Sequence, residues 1–302
     1  MIKPLHRLER PMIRNLFALA VCLGLVVVAA PVLTIEPAKA ADIKNPLTDG
    51  ETWAELKYDV FGDTVIHDGS ALFDLDAPYR AHDAAIVPVR VIQSGVSKER
   101  IAKLTLIVDE NPAPVVAEFE FGPSMSVLDL ETRVRVNQYS NIRAIAETAD
   151  GKLWMVGRYV KGAGGCSAPA LKDMETALTS AGKMRMKVFD AVAETASVTT
   201  VSPATEGRRQ AQIMIRHPNY SGLQRNQVTQ LFIPAFFVNE VTVYLGKERL
   251  IHMSGGISIS EDPSFRFSFV DNGSTTFAVE ATDTDGGEFG KTFPIKPAGS
   301  AS

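Results

Sequence analysis

Residues 115–121, Val-Val-Ala-Glu-Phe-Glu-Phe, put an apolar side chain at every odd position and leave Glu118 and Glu120 to face out. A two-residue period of this kind describes a strand with one buried face. Arg133-Val134-Arg135-Val136 alternates in the same way, and β-rich runs recur at 86–92, 104–108, 142–148 and 153–159. Turn signals at Asn111-Pro112, Gly122-Pro123 and Asp150-Gly151 separate several of them. Short strands at this spacing predict an antiparallel sandwich.

The second half carries the same pattern. Candidate strands lie at 212–216, 236–245, 257–259, 265–269 and 276–281, with 291–295 placed to close a sheet. Phe265, Phe267 and Phe269 alternate with Arg266 and Ser268, again one buried face. Between 194 and 209 the chain turns to Thr, Ser, Ala, Pro and Gly, which marks the domain boundary. Two helices are expected. Residues 52–61 bring Trp53, Leu56, Val60 and Phe61 to one face behind Thr48 or Asp49 as cap. Residues 170–181 carry an apolar stripe of Leu171, Met174, Leu178 and Ala181, with Ser167 as cap and Gly182 as stop. The architecture expected is all-β, two sandwiches of similar size joined by a linker.

The N-terminus reads as an export signal. Lys3, Arg7, Arg10 and Arg14 precede an apolar run at 16–33, and Ala38-Lys39-Ala40 supplies a small-x-small cleavage pattern. An uncleaved membrane anchor is the alternative for that run. Cleavage before Ala41 removes five of 31 Lys/Arg and two of 35 Asp/Glu, leaving 26 against 33 and a balance of −7. With no basic block, nucleic acid is excluded as a partner, and so is the membrane once the leader is gone. Cleavage also removes Cys22 and leaves Cys166 as the one thiol. Structural disulfides come in pairs, so a single exported cysteine points to a reactive or partner-linked thiol, and a dimer linked through Cys166 stays open.

Cys166 ends the run Lys161-Gly162-Ala163-Gly164-Gly165. If residues 170–181 are a helix, the thiol sits near its N-terminus, where the macrodipole and free N–H groups favour the thiolate. Gly162, Gly164 and Gly165 are the expected hinge. The alternative is a small buried hydrophobe, although buried cysteines usually lie in apolar runs. His67, His82, His217 and His252 have no i, i+3 or i+4 pairing, but folding could bring one to Cys166 as a base. Met174, Met184 and Met186 hint at soft-metal ligation. Met174 lies in the helical stripe, however, and the other two read as one face of a strand. Glu118/Glu120 and Asp283/Asp285 read as solvated faces or turns. No G-x-S-x-G, P-loop, H-E-x-x-H or C-x-x-C occurs. No catalytic residue, metal ligand or cofactor site is therefore assigned.

The run Val108-Asp109-Glu110-Asn111-Pro112-Ala113-Pro114, followed by Phe119-Glu120-Phe121 and Gly164-Gly165-Cys166, resembles SoxY, the periplasmic sulfur carrier with a Gly-Gly-Cys arm. The second half resembles its partner SoxZ at His217-Pro218 with Gly222, Ile233-Pro234-Ala235 and Gly246-Lys247. Gly255-Gly256-Ile257-Ser258 and Asp262-Pro263 with Phe267-Ser268-Phe269 continue that match. The arrangement is most similar to fused SoxYZ-like carriers associated with quinoprotein dehydrogenases.

The resemblance implies two immunoglobulin-like β-sandwiches in tandem and a non-enzymatic carrier of thiosulfate or related sulfur oxidation. It implies Cys166 as the covalent attachment point for a sulfur-containing adduct. Its implied partners are Sox-type enzymes, or a quinoprotein dehydrogenase or its cytochrome. The expected division is a signal peptide at 1–40, a SoxY-like sandwich at 41–190, a linker at 191–209, a SoxZ-like sandwich at 210–297 and a tail at 298–302. Two other readings stand beside it: a non-carrier module that docks on such a dehydrogenase, and a thiol-dependent enzyme with Cys166 as nucleophile. Two features depart from the family. Here the chain continues past the cysteine, and Ser167-Ala168-Pro169 replaces flexible glycines. A loop held at both ends reaches less far than a free tail.

Overall fold

The helix expected at 52–61 is α1, Thr52–Phe61. Its Trp53, Leu56 and Phe61 pack on a small cluster of Ile107, Ile145 and Leu153, so the amphipathic face docks on the outside of a sheet. The structure is a computed structural model that describes residues 45–48, 50, 52–95, 97, 99–170, 173–189 and 208–296. The expected signal peptide with Cys22, most of the expected linker and the tail lie outside the described residues.

Among the described residues, eight strands precede the cysteine: β1 Ile66–Asp68, β2 Phe73–Asp76, β3 Val87–Gln93, β4 Ile101–Val108, β5 Val115–Phe121, β6 Asp129–Val134, β7 Ser140–Thr148 and β8 Leu153–Val160. After it come α2, Met174–Ser180, and β9, Met184–Phe189. The second half supplies β10 Arg208–Ile215, β11 Val238–Leu245, β12 Glu248–Gly255, β13 Ser264–Val270, β14 Thr276–Asp283 and β15 Glu288–Pro294. The described chain is mostly β with two helices, a sandwich of open sheets, as the alternation foretold.

One strand is displaced from its expected place. The run 257–259 is not a strand: Ile259 N–H bonds to the Gly256 carbonyl at 3.1 Å, and the two glycines before it turn the chain. The ladder instead uses β12, whose polar start, Glu248-Arg249, hid it from the hydrophobic pattern. Short β1 and β2 carry too few residues to show a period.

The sheets run through both halves of the chain. The larger follows the order β1-β8-β7-β4-β5-β12-β11-β14-β15, and the smaller β2-β3-β6-β13-β10-β9. Two antiparallel seams therefore join the halves: β5 with β12, from Phe121 opposite Ile251 to Ala117 opposite Gly255, and β6 with β13, where Leu130 faces Phe267. Either half alone would present these strands as open edges, which pair readily with foreign chains. Each half covers the other's edges.

One core fills the space between the layers. Phe267, Phe269 and Phe277 pack edge to face or tilted at 5.1–6.4 Å, and Phe119 meets Phe265 edge-on at 6.1 Å across the two halves. Each such ring, removed from water, contributes about 2–3 kcal/mol. β9 precedes the expected linker yet pairs with β10 and forms the outer edge of the smaller sheet.

Candidate functional site

The cysteine lies in a loop pinned between the two halves. Leaving β8, Lys161 donates its N–H to the Tyr79 carbonyl at 2.8 Å and accepts from Ala81 N–H at 2.9 Å. Gly164 N–H then bonds to the Asn137 carbonyl at 2.9 Å, and Gly165 N–H to the Val136 carbonyl at 3.0 Å. Gly164 has φ of +78°, a left-handed turn that a Cβ would strain. At Gly165 the reason for glycine is space: a Cβ there would lie 2.0 Å from the Ala84 carbonyl oxygen and 2.7 Å from that of Val136. A Cβ on Gly162 would meet Ala81 at 3.2 Å. In this docked loop the glycines let backbone approach backbone.

The second half closes over the cysteine. The Ser221 hydroxyl donates to the Cys166 carbonyl, and Gln224 Nε2 donates to the Ala168 carbonyl at 2.9 Å. Ser221 N–H returns to Gln224 Oε1 at 3.1 Å, which fixes the two clasping side chains against each other. Under the loop runs Arg135, only 2% exposed. Its guanidinium donates to three carbonyls, Gly165 at 3.1 Å, Asn219 at 3.0 Å and Ile259 at 3.4 Å. One side chain thus ties the cysteine loop to two segments of the other half. Burial pushes the Arg135 pKa below its ordinary value.

Motifs that looked like surface punctuation turn out to build this platform. Asn111 Nδ2 donates to the Arg135 carbonyl at 2.7 Å and to Ser258 Oγ at 3.0 Å, while its Oδ1 accepts from Asn137 N–H at 2.8 Å. Ser258 Oγ also donates to the Ala113 carbonyl at 2.8 Å. His217 is fully enclosed, with Nδ1 2.8 Å from Asn219 Oδ1, Nε2 3.5 Å from Asp283 Oδ2 and its ring against Phe236 at 4.4 Å. Burial lowers the His217 pKa against the pull of Asn219 and Asp283.

Cys166 itself is 0% exposed. Burial raises its pKa to about 11, opposed only in part by the nearby Arg135 charge. The helix-terminus argument for a thiolate does not apply. Helix α2 begins at Met174 and is capped by Asp173, whose Oδ1 accepts from Thr176 N–H at 2.8 Å. Ser167 instead turns back within the loop, its N–H on the Gly164 carbonyl at 3.2 Å. Of the expected apolar stripe, Leu171 lies outside the described residues, Met174 and Leu178 are exposed, and Ala181 is half-buried; the residue that α2 buries is Ala177. Replacing Asp173 by Ala is expected to speed amide exchange at Thr176 about fivefold without changing the core amides. Hydrogen-exchange mass spectrometry checks it.

The remaining candidates are spread over the molecule. His67 packs at a tilt against Trp154 with ring centroids 5.0 Å apart, His82 is exposed, and His252 sits between Thr242 and Glu240 at 3.0 and 3.1 Å. Among the described residues no histidine hydrogen-bonds to Cys166. Met184 and Met186 lie on β9, and Met174 on α2. Glu120 pairs with Arg249 at 2.8 Å on the surface, and Asp283 holds a turn through the N–H groups of Asp285 and Gly287 at 3.0 and 2.8 Å.

Arg135, Ser221 and Gln224 were not legible in the sequence. The alternating Arg133-Val134-Arg135-Val136 places Arg135 outside, but β6 ends at Val134, and beyond it the chain turns Arg135 into the seam.

Comparison with known proteins fits this two-part construction. Residues 57–166 match the family model of "Sulfur oxidation protein SoxY", and the match ends on Cys166. Residues 199–294 match that of "Sulphur oxidation protein SoxZ". No curated protein gives a significant match. Among solved structures, the chain is similar to the sulfur carrier protein SoxY from Chlorobium limicola f thiosulfatophilum, at 26% identity over 36% of this chain and 90% of that one, with a TM-score of 0.31. Two structures of variant forms of superoxide reductase (neelaredoxin) from Ignicoccus hospitalis follow at 16% identity and TM-scores of 0.27. One covers 31% of this chain and 83% of its own, the other 37% and 99%.

Proposed function

We propose that this chain, whose residues 57–166 match the SoxY family model and 199–294 the SoxZ family model, is a sulfur-oxidation carrier and not an enzyme, with Cys166 as its covalent attachment point. The SoxY match ending on Cys166 carries this reading. The N-terminal leader supports a periplasmic site of action. Loading joins Cys166 Sγ to a reduced sulfur compound such as thiosulfate: the thiol loses its proton, two electrons leave to a partner oxidoreductase, and an S–S bond forms. A Sox-type enzyme, or a quinoprotein dehydrogenase or its cytochrome, takes those electrons. A covalent tether keeps the cargo at high effective concentration beside each partner in turn. In the docked loop the thiol is protonated and shielded, so exchange needs the loop to open.

The burial of Cys166 favours a second reading, a docking module in which the cysteine is a packed core residue. Intact mass spectrometry of protein purified from the native host separates the two. A carrier shows a sulfur-containing mass increment that is absent from Cys166→Ser, and that variant stops sulfur oxidation in the host. A thiol that is never modified, with normal oxidation in the variant, leaves the docking module.

A further inference from the structure

We propose that the hairpin at 221–236 is the docking surface for the enzyme that exchanges cargo with Cys166, and that seating on its tip opens the enclosure around the thiol. The inference rests on the carrier reading and extends it to a partner surface. The hairpin is narrow and well built. Tyr220 bridges Phe236 at its base and Arg225 bridges Phe232 nearer the tip. Asn226 Oδ1 accepts from Val228 and Thr229 N–H groups, each at 2.9 Å, and shapes the turn.

An ordered polar frame of this kind usually presents polar side chains to water. This one presents Val228 at 90% exposure, Leu231 at 69% and Phe232 at 58%. Three large apolar groups within five residues are out of place on a bare surface. The tip's one charge, Arg225, lies over the Phe232 ring at 4.1 Å. The matching partner surface is an apolar cleft bordered by an acidic group.

The other end of the hairpin identifies the occupant. Ser221 and Gln224, at its base, hold the Cys166 and Ala168 carbonyls. Gln224 is tied in turn to the returning strand, its carbonyl accepting Ile233 N–H at 2.9 Å. A protein seated on the tip therefore acts on the residues that enclose the thiol. Its binding energy is delivered where opening is needed, a differential affinity for the open state. A second copy of this chain, or a lipid surface, gains nothing from that coupling.

Three chains test it: the unsubstituted protein, a clasp variant, Ser221→Ala with Gln224→Ala, and a tip variant, Val228→Asp with Leu231→Asp. Intact mass spectrometry reads two rates, alkylation of Cys166 by iodoacetamide in the isolated protein and loading of Cys166 from sodium thiosulfate with a cell extract of the native host. Loss of the clasp is expected to speed alkylation about tenfold. The tip variant is expected to alkylate like the unsubstituted chain and to load at least about tenfold more slowly. Equal loading of the tip variant overturns the docking surface, and unchanged alkylation of the clasp variant overturns the coupling. If the unsubstituted chain is a dimer that the tip substitutions dissociate while loading is unaffected, the patch is a self-interface and the proposal is wrong. An unsubstituted chain that never loads overturns the carrier reading itself, and the docking surface with it.

Discussion

At pH 8 the folded protein is expected to react with iodoacetamide at Cys166 about two to three orders of magnitude more slowly than the same chain in denaturant. A thiol with a pKa of about 11 is ionised to about one part in a thousand at pH 8, whereas an unperturbed cysteine is ionised to roughly a quarter. Complete burial slows the reagent further. The same shift has a stability consequence with a fixed sign. The folded pKa is raised, so well below the unfolded value of about 8.5 both states hold the proton and stability is unaffected by pH through this group. From about pH 8 up to about 11 the unfolded chain loses its proton first, and stability falls by up to about 3 kcal/mol. Urea midpoints at pH 8 and 10.5 should therefore diverge more for the unsubstituted protein than for Cys166→Ala. Equal divergence, or rapid alkylation of the folded chain, would show that the thiol is not enclosed.

Gly165→Ala is expected to cost about 3 kcal/mol, or to undock the loop and raise the alkylation rate toward that of the unfolded chain. The added methyl would sit 2.0 Å from one carbonyl oxygen, 2.6 Å from its carbon and 2.7 Å from a second carbonyl oxygen. All three belong to backbone, in the turn at Ala84 and just beyond β6 at Val136, which cannot swing aside as a side chain can. Gly164→Ala meets nothing nearer than Ser167 Oγ at 4.0 Å and bears only the strain of its positive φ, about 1 kcal/mol. Denaturant midpoints and alkylation rates for the two variants give the ordering. Equal, small effects would mean that Gly165 serves flexibility and not close approach.

Most of the fold was legible because burial on one face of a strand imposes a two-residue period. Phe265, Phe267 and Phe269 fall where that period places them, on β13 facing the core. The same rule misplaced Arg135, because it holds only while the strand lasts, and β6 ends one residue earlier. It missed β12, since a strand that opens with Glu248-Arg249 at a solvated end shows no apolar alternation there. The cysteine was legible by subtraction, as the one thiol that remains if the expected leader is cleaved. Its surroundings were not. Asn111 meets Ser258 and Cys166 meets Ser221, across 147 and 55 positions of the chain. No local pattern encodes such a partner.

The β-sandwich class, the two helices and the identity of the candidate attachment residue followed from the sequence by itself. Each depends on local chemistry: side-chain period, helix face and cysteine count. Only the tertiary structure decided the state of that cysteine. Reactivity depends on solvation and on neighbouring charge, and both are set by Gly165 packed against Ala84 and Val136, Arg135 beneath, and Ser221 and Gln224 above. Flexible-looking glycines became a close backbone contact, and a thiol expected to be ionised became a protonated, enclosed one.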